Sequence, residues 1–474
     1  MYSGGRLMLL YDFSFYKINN NISIYTTGCE LCIYDACKFA GTLDLSEKAI
    51  VFNTCSFIKD REIENKLLLN ILKKVYPDRK LYVLGCDVDY QRDYYDKIAD
   101  VTYTNMELRD IIAKNPVVNT TINEHDKHPS IYVKIQDGCH NRCTYCIIHK
   151  LRGTPMSVPY DTIVEEVKTQ MKLKGYDKVV LGGTEFTTYY DSKYNYTFTQ
   201  MLEHLIHDVK GIKRIVLNGF DPHHEETEKI IRLVGKYPEV FVPHVILSTQ
   251  SACDTILKAM GRRHNVDRLR YLHQVAEECG VSLGWDIIVG FPGETEELFM
   301  ETYRNMQELH PFSRTLFSYS PREGTPAFNF PNQVPEEVKA ERVRRLQELR
   351  YTNSLKYNSQ YNNYNEYIEN DGTINQCKEN KRKALEILSN GGKETYLDIF
   401  NTEEIVDFLK ELHYNEIVHV NYDTNRELES GIIINLIKQL YKGLPLIVHV
   451  PSDFKENPDI FEKCYQCIIR RENG

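Results

Sequence analysis

The stretch Asp137 to Lys150, DGCHNRCTYCIIHK, decides how the rest of this chain is read, because it places Cys139, Cys143 and Cys146 within eight positions on one short segment. Thiolates so close together suit a soft metal centre, and iron–sulfur clusters are held by closely spaced cysteines. A structural zinc site closes its tetrahedron with a fourth ligand, whereas a site built to bind a small molecule keeps one position open. Three ligands on a four-iron cluster leave one iron for such a molecule. The competing readings are a zinc site completed by His140 or His149, and plain buried cysteines.

Outward from this segment the chain alternates strand-like and helical runs. Downstream, IYVKIQDGC, DKVVLGG, RIVLNGFDP, PHVILSTQ, VSLGWDIIVGFPG and RTLFSYSP read as strands, with helical segments such as YDTIVEEVKTQMKLKG between them. Six such units fit a partial or full α/β barrel. Upstream, ISIYTTG, AIVFNTCSF and KLYVLGC read as strands and DREIENKLLLNILKKVY as an amphipathic helix, the rhythm of a small parallel sheet. Each of these three runs ends at a cysteine: Cys29, Cys55 and Cys86. Strand C-termini share one edge of a parallel sheet, where ligand sites collect, so three thiols far apart in sequence are expected to converge there.

The remaining chain alternates again through TYLDIF, TEEIVDFLKELH, EIVHVNY, ELESGIIINLIKQLYKG and PLIVHVPS. The expected fold is therefore α/β: a small parallel α/β domain over 1–125, a partial (β/α)6 barrel over 126–350, a helix end and polar linker over 351–380, and a small α/β domain over 381–474. A chain of 474 residues with 42% hydrophobic and 26% charged residues supports several cores of this kind. The net charge of −9 excludes a uniformly basic, nucleic-acid-coating surface but not a local basic channel. No signal-like N-terminus and no membrane-length apolar run is visible, so a cytoplasmic protein without membrane partners is expected. Thirteen cysteines then point to metal or redox chemistry rather than disulfides.

The C-x3-C-x2-C run, with Tyr145 before its last cysteine, resembles the radical S-adenosylmethionine (SAM) superfamily. TTGC, FNTC and LGC, followed by LSTQSACDTILKAMGRRH, DIIVGFPGETEE and FSYSPREGTPA in that order, resemble the signatures of the radical SAM methylthiotransferases. The resemblance implies two [4Fe-4S] clusters and SAM as cofactors. Cys139, Cys143 and Cys146 would hold the cluster that cleaves SAM, and Cys29, Cys55 and Cys86 an auxiliary cluster that gives up sulfur. It further implies SAM contacts at Tyr145, Gly182, Gly183, Asn218, Asp221, Gln250, Ser251, Asp286 and Gly290. Of these, Gly182 and Gly183 allow close backbone approach, Gln250 and Ser251 are expected to face the barrel mouth, and Asp286 with the Gly290 turn to shape an adenine pocket. Arg322 reads as an active-site cation or a surface ion pair. The activity implied is replacement of an unactivated C–H hydrogen by a methylthio group, with electrons from a flavodoxin or ferredoxin.

Three departures qualify the substrate. Cys32 and Cys37 stand in CELCIYDAC, as alternative ligands, a sulfur relay or buried small residues. In LRGTPMSVP, Arg152, Gly153 and Ser157 remain while Val158 replaces an arginine. Residues 381–474 lack the pattern of a five-strand RNA-binding barrel, the TRAM domain, and carry no basic stripe interleaved with aromatics. A peptide or protein substrate is therefore expected ahead of a tRNA, the alternatives being a tRNA methylthiotransferase acting beside the anticodon and a non-catalytic metal-binding module. Cys464 and Cys467 read as packed small residues before a redox pair.

Overall fold

The structure is a computed structural model that describes residues 14–56, 59–114, 130–217 and 219–349, and within the C-terminal segment 393–397, 405–406, 416–421, 430, 432–434, 436–437, 446–450 and 468–471. The chain divides into two compact units: residues 1–112, 118–128 and 362–474 form one, and residues 113–117 and 129–361 the other.

The first unit is built on a five-stranded sheet, β1 (Ser14–Lys17), β2 (Ile22–Thr26), β3 (Ala49–Thr54), β4 (Lys80–Gly85) and β5 (Val101–Tyr103), in sequential order. β1 is antiparallel to β2 and the other pairings are parallel. Helices α1 (Glu30–Ala40), α2 (Lys59–Val75), α3 (Cys86–Tyr95) and α4 (Asn105–Lys114) connect and follow the strands. β2 and β3 are buried along their whole length, which is why they read as mainly apolar runs. β1 and β5 escaped the sequence reading because each is a short edge strand.

The same unit contains a wholly parallel four-stranded sheet, β12 (Lys393–Leu397), β13 (Glu416–Asn421), β14 (Leu446–Val450) and β15 (Ile468–Arg471). This confirms an α/β C-terminal segment rather than an antiparallel barrel. A single buried apolar cluster joins Val418, Val420, Ile433 and Val448 of this segment with Phe52 and Val83 of the first sheet and Leu69 and Leu72 of α2. The polar linker, Cys464 and Cys467 lie outside the described residues.

The second unit carries six parallel strands, β6 (Ile131–Lys134), β7 (Lys178–Gly182), β8 (Arg214–Val216), β9 (His244–Gln250), β10 (Ser282–Val289) and β11 (Ser313–Ser318). β6, β7 and β8 pair as one sheet and β9, β10 and β11 as another. Parallel bridges Ile215–Phe241 and Phe220–Leu247 link the two. The outer layer includes α5 (Tyr160–Lys174), α6 (Phe198–Asp208), α7 (Glu225–Lys236), α8 (Val266–Glu278), α9 (Glu296–Leu309) and α10 (Glu336–Glu348). One buried cluster, including Val133, Leu181, Ile215, Leu247, Trp285 and Phe299, fills the space between strands and helices. Six β/α units in an open, curved arrangement are the partial barrel read from the sequence, and their strand C-termini gather the residues described next.

Candidate active site

In the second unit the cysteine loop leaves β6 and is fixed from below by a buried ion network. Asp137 pairs with Arg152 (Oδ1 to Nη1, 3.0 Å) and Lys134 (Oδ2 to Nζ, 3.2 Å). Burial pushes its carboxyl pKa up, but the two cations outweigh this and hold it well below the usual carboxylate range. Gly138, at φ +81°, then turns the chain, and a Cβ there would sit 2.3 Å from the Thr154 carbonyl oxygen. The Cys139 N–H donates to Gly153 (3.1 Å). Arg152 and Gly153 thus build the platform under the cysteines, so Arg152 is not an exposed substrate-facing cation.

Cys139, Cys143 and Cys146 lie close enough to interact electrostatically, and burial raises the thiols of Cys139 to about 11 and Cys146 to about 12. The buried Arg262 donates from Nη1 toward the Cys143 Sγ (3.6 Å) and from Nη2 to Asp221 (3.1 Å) and the Ser248 carbonyl (2.8 Å). Asn141 completes this layer: it donates from Nδ2 to Glu185 (2.7 Å) and Asp221 (3.1 Å), while its backbone N–H points at the Cys139 Sγ (3.3 Å). Three thiols backed by a fixed cation suit a group that carries excess negative charge, as a thiolate-bound cluster does. Among the described residues no three His, Cys, Asp or Glu side chains close round a single metal ion. A cluster spreads its thiolates over separate irons and does not require that closure. His140 is exposed, and His149 lies on the wall of a cavity of about 360 Å³ with Arg142, Cys143, Lys150 and Asn329.

The residues expected to contact SAM divide into those at the mouth and those used elsewhere. Gly183 follows β7 in a place where a Cβ would press on the Phe186 ring at 3.1 Å. The loop after it is pinned by Gln136, whose Oε1 accepts the Thr184 and Glu185 N–H groups (both 2.9 Å). The Gly182 carbonyl already accepts from the Ile135 N–H (2.8 Å). Tyr145 packs against the cluster of Cys253, Met260, Phe291 and Tyr319. Gln250 adopts φ +66°, a rare backbone state for a side-chain-bearing residue, where the pairing of β9 with β10 shifts register. The Asp286 Oδ2 lies 3.3 Å from the place of a Cβ on Gly219, and burial raises its carboxyl to about 6.

Other positions behave differently from the sequence expectation. Asp221 is committed to Arg262 and Asn141, which makes it a positioning group for the cysteine loop. Ser251, expected at the mouth, is buried with its hydroxyl on Thr302 (3.2 Å) and the Cys253 N–H (3.2 Å). Gly290, at φ +76°, leaves room for the Lys339 side chain, whose Cγ lies 2.3 Å from the place of a Cβ; its N–H donates to Glu294 (2.8 Å). That geometry serves the turn into α9. Arg322 is buried, not a surface ion pair, and its carbonyl accepts from Thr325. Asn218 lies outside the described residues. Arg262, Asn141 and Gln136 were not singled out in sequence; the first stands inside the quoted GRRH run, but its cysteine is 119 positions away.

In the first unit, pairing of Thr54 with Gly85 puts Cys55 and Cys86 one residue beyond matched strand ends. Cys29 caps α1 beside them, with the Thr27 N–H bound to the Asn53 carbonyl (3.2 Å). A buried polar network ties the three strand-end loops together. Thr27 donates to Asn65 (2.5 Å), Asn65 donates to the Cys55 carbonyl (2.8 Å) and to Asp87 (2.9 Å), and Tyr95 donates to Asp87. The Cys29 thiol hydrogen-bonds Cys32 (Sγ to Sγ, 3.9 Å), Cys86 is near enough to help raise the Cys32 thiol pKa, and Asn105 donates toward the Cys86 Sγ (3.5 Å). None of the ten described cysteines forms a disulfide.

The radical SAM superfamily model matches residues 133–306. Over 357 residues the chain is 33% identical to the threonylcarbamoyladenosine tRNA methylthiotransferase MtaB of Rickettsia prowazekii (strain Madrid E), covering 70% of this chain and 83% of that one. The chain belongs to the radical SAM methylthiotransferase family. A second member, the tRNA-2-methylthio-N(6)-dimethylallyladenosine synthase of Clostridium tetani, is 31% identical over 377 residues, 71% of this chain and 82% of that one. Among solved structures, the radical SAM methyltransferase TsrM of Kitasatospora setae superposes with TM-score 0.46 at 12% identity, over 62% of this chain and 69% of that chain. As a methylthiotransferase the protein is a sulfur-transferring enzyme that uses SAM and two [4Fe-4S] clusters, which removes the non-catalytic reading. No helix among the described residues is long and apolar enough to cross a membrane.

Proposed function

We propose that this methylthiotransferase inserts a methylthio group into a nucleoside of tRNA, with Cys139, Cys143 and Cys146 holding the SAM-cleaving cluster and Cys29, Cys55 and Cys86 the auxiliary one. The observation that carries the tRNA reading is the 33% and 31% identity, over about 70% of the chain, to two enzymes named for tRNA substrates. It takes precedence over the peptide substrate expected from the pattern of residues 381–474 and the acidic net charge. When bound, the two clusters and SAM supply the electron, the radical and the sulfur that an unactivated C–H bond demands.

The chain's own groups do the placing. Arg262 compensates negative charge at Cys143 and is itself aimed by Asp221 and the Ser248 carbonyl. Gln136 and Gly183 shape the strand-end loop that the SAM amino group would meet, and Tyr145 closes one side of the loop with apolar surface. Asp286, kept largely neutral near pH 5 by its burial, offers a carboxyl in the barrel interior for a hydroxyl or amine of the bound molecules. The global charge of −9 does not oppose RNA, because binding depends on local cations. Arg142 and Lys150 line the cavity beside Cys143, where a phosphate would be met.

A second reading, a peptide or protein substrate, is favoured by one observation: the parallel sheet β12–β15 stands where an RNA-binding barrel is expected. A flavodoxin or ferredoxin as electron donor goes with either reading. Mass spectrometry of tRNA nucleosides from cells with and without the gene tests the choice. The tRNA reading expects a nucleoside heavier by one methylthio group in place of hydrogen only when the gene is present. Unchanged nucleosides together with a methylthiolated peptide would move the assignment to the second reading. Binding to tRNA should also weaken steeply with salt.

A further inference from the structure

The auxiliary site holds one thiol more than its three strand ends supply. Cys32 is buried, its Sγ lies 3.9 Å from that of Cys29, and the Cys86 strand end lies on the same sheet edge. Its place follows from helix geometry. Cys29 is the N-cap of α1 and Cys32 the third helical residue, and N-cap and N3 side chains meet over the first turn. Backbone contacts fix it there: Asn53 donates from Nδ2 to the Cys32 carbonyl (3.0 Å). Gly28 clears the space, since a Cβ at that position would fall 2.3 Å from the Cys32 Cβ and 2.7 Å from its Sγ.

Cys37 shows what a merely packed cysteine looks like in the same helix. It lies five residues on, about 140° round the helix from Cys32. There it joins the apolar cluster of Ile24, Ala36, Phe39 and Val51. Cys32 is absent from that cluster and touches the Cys29 thiol instead.

We infer that Cys32 is a fourth thiolate ligand of the auxiliary cluster, completing a Cys29–Cys32–Cys55–Cys86 set that caps the iron a three-cysteine set leaves open. The inference rests on assigning the strand-end cysteines to that cluster, and it deepens the proposed function: sulfur reaches this site only by taking the place of Cys32. In that exchange an incoming hydrosulfide or methanethiolate forms the bond to iron, the Cys32–iron bond breaks, and the released Cys32 thiolate takes up a proton from water. No electron changes hands.

The test uses the full chain with Cys139, Cys143 and Cys146 replaced by alanine, reconstituted anaerobically so that only the auxiliary cluster is loaded, and titrated with methanethiol while the reduced cluster is followed by electron paramagnetic resonance and Mössbauer spectroscopy. With Cys32 present the spectrum should resist methanethiol, and Cys32→Ser should respond at a concentration at least about tenfold lower. Cys37→Ser should behave like the parent. Should Cys32→Ser fail to fold, the parent alone decides: a spectrum that shifts at the first additions of methanethiol contradicts the fourth ligand. Failure of the underlying assignment looks different, as a chain that loads no cluster once the barrel cysteines are gone, or that holds zinc without sulfide; either result also overturns the inference.

Discussion

The guanidinium of Arg262 stands 3.6 Å from the Cys143 Sγ while its other nitrogen grips Asp221, so a buried cation is held against the Cys139–Cys146 loop by a carboxylate 41 positions away in sequence. A charge-assisted hydrogen bond of this kind is worth about 1.5–3 kcal/mol. Arg262→Met should therefore lower SAM cleavage roughly tenfold to a hundredfold and shift the reduction potential of that cluster downward. Arg262→Lys should recover only part of the loss, because a lysine cannot reach the thiol, Asp221 and the Ser248 carbonyl at once. Measured potentials that are equal in all three proteins would remove the electrostatic role.

The two sets of cysteines should separate in function. Cys143→Ala is expected to abolish formation of 5′-deoxyadenosine, and Cys55→Ala to leave it intact while methylthio insertion stops. Product analysis by chromatography with mass detection reads both. A Cys55→Ala enzyme that still inserts sulfur would show that Cys55 is not a ligand of the auxiliary centre.

Gly28 is the position most sensitive to a single methyl. With the new Cβ at 2.3 Å from the Cys32 Cβ, Gly28→Ala must displace the first turn of α1. Overlap of this kind typically costs about 1–3 kcal/mol. The expected outcome is about half the iron of the parent with SAM cleavage retained, as measured by iron analysis and 5′-deoxyadenosine formation. Full iron content would mean that the turn tolerates the shift.

Acid should destabilise the second unit through two half-buried imidazoles remote from the Cys139–Cys146 loop. His244 sits between the hydroxyls of Ser282 and Ser313, and His273 packs edge-on to Trp285; burial lowers each to about 4. A depressed histidine pKa gives stability that is full above the unfolded value near 6.5 and is lost as pH falls toward 4. At pH 5 each ring would cost up to roughly 2 kcal/mol, less where water reaches it. Urea unfolding followed by the fluorescence of Trp285, the one tryptophan of the chain, should show the midpoint falling between pH 7 and pH 5, and falling less in His244→Gln. A pH-independent midpoint would contradict this.

How much of this was legible in the sequence follows from how local each feature is. The central strands of both units announced themselves because a parallel strand buried on both faces is rich in consecutive apolar residues; β3, AIVFNT, opens with four. The cysteines were found because they end such runs or crowd one loop. Edge strands β1 and β5 are too short to carry a pattern. The direction of Ser251, the burial of Arg152 and the pairing of Asn141 with Asp221 across 80 positions depend on tertiary packing that no local spacing encodes. Cys32 and Cys37 looked alike until the start of α1 at Cys29 fixed which of them lies over the first turn and which faces the core.

The central claim is that one chain carries two iron–sulfur centres held by separate sets of cysteines. Iron and acid-labile sulfide analysis of the anaerobically prepared chain tests it most directly. The account predicts about eight irons and eight sulfides per chain, falling to about four of each when Cys139, Cys143 and Cys146 are replaced by alanine. Zinc without sulfide, or no iron left in the triple variant, would contradict it.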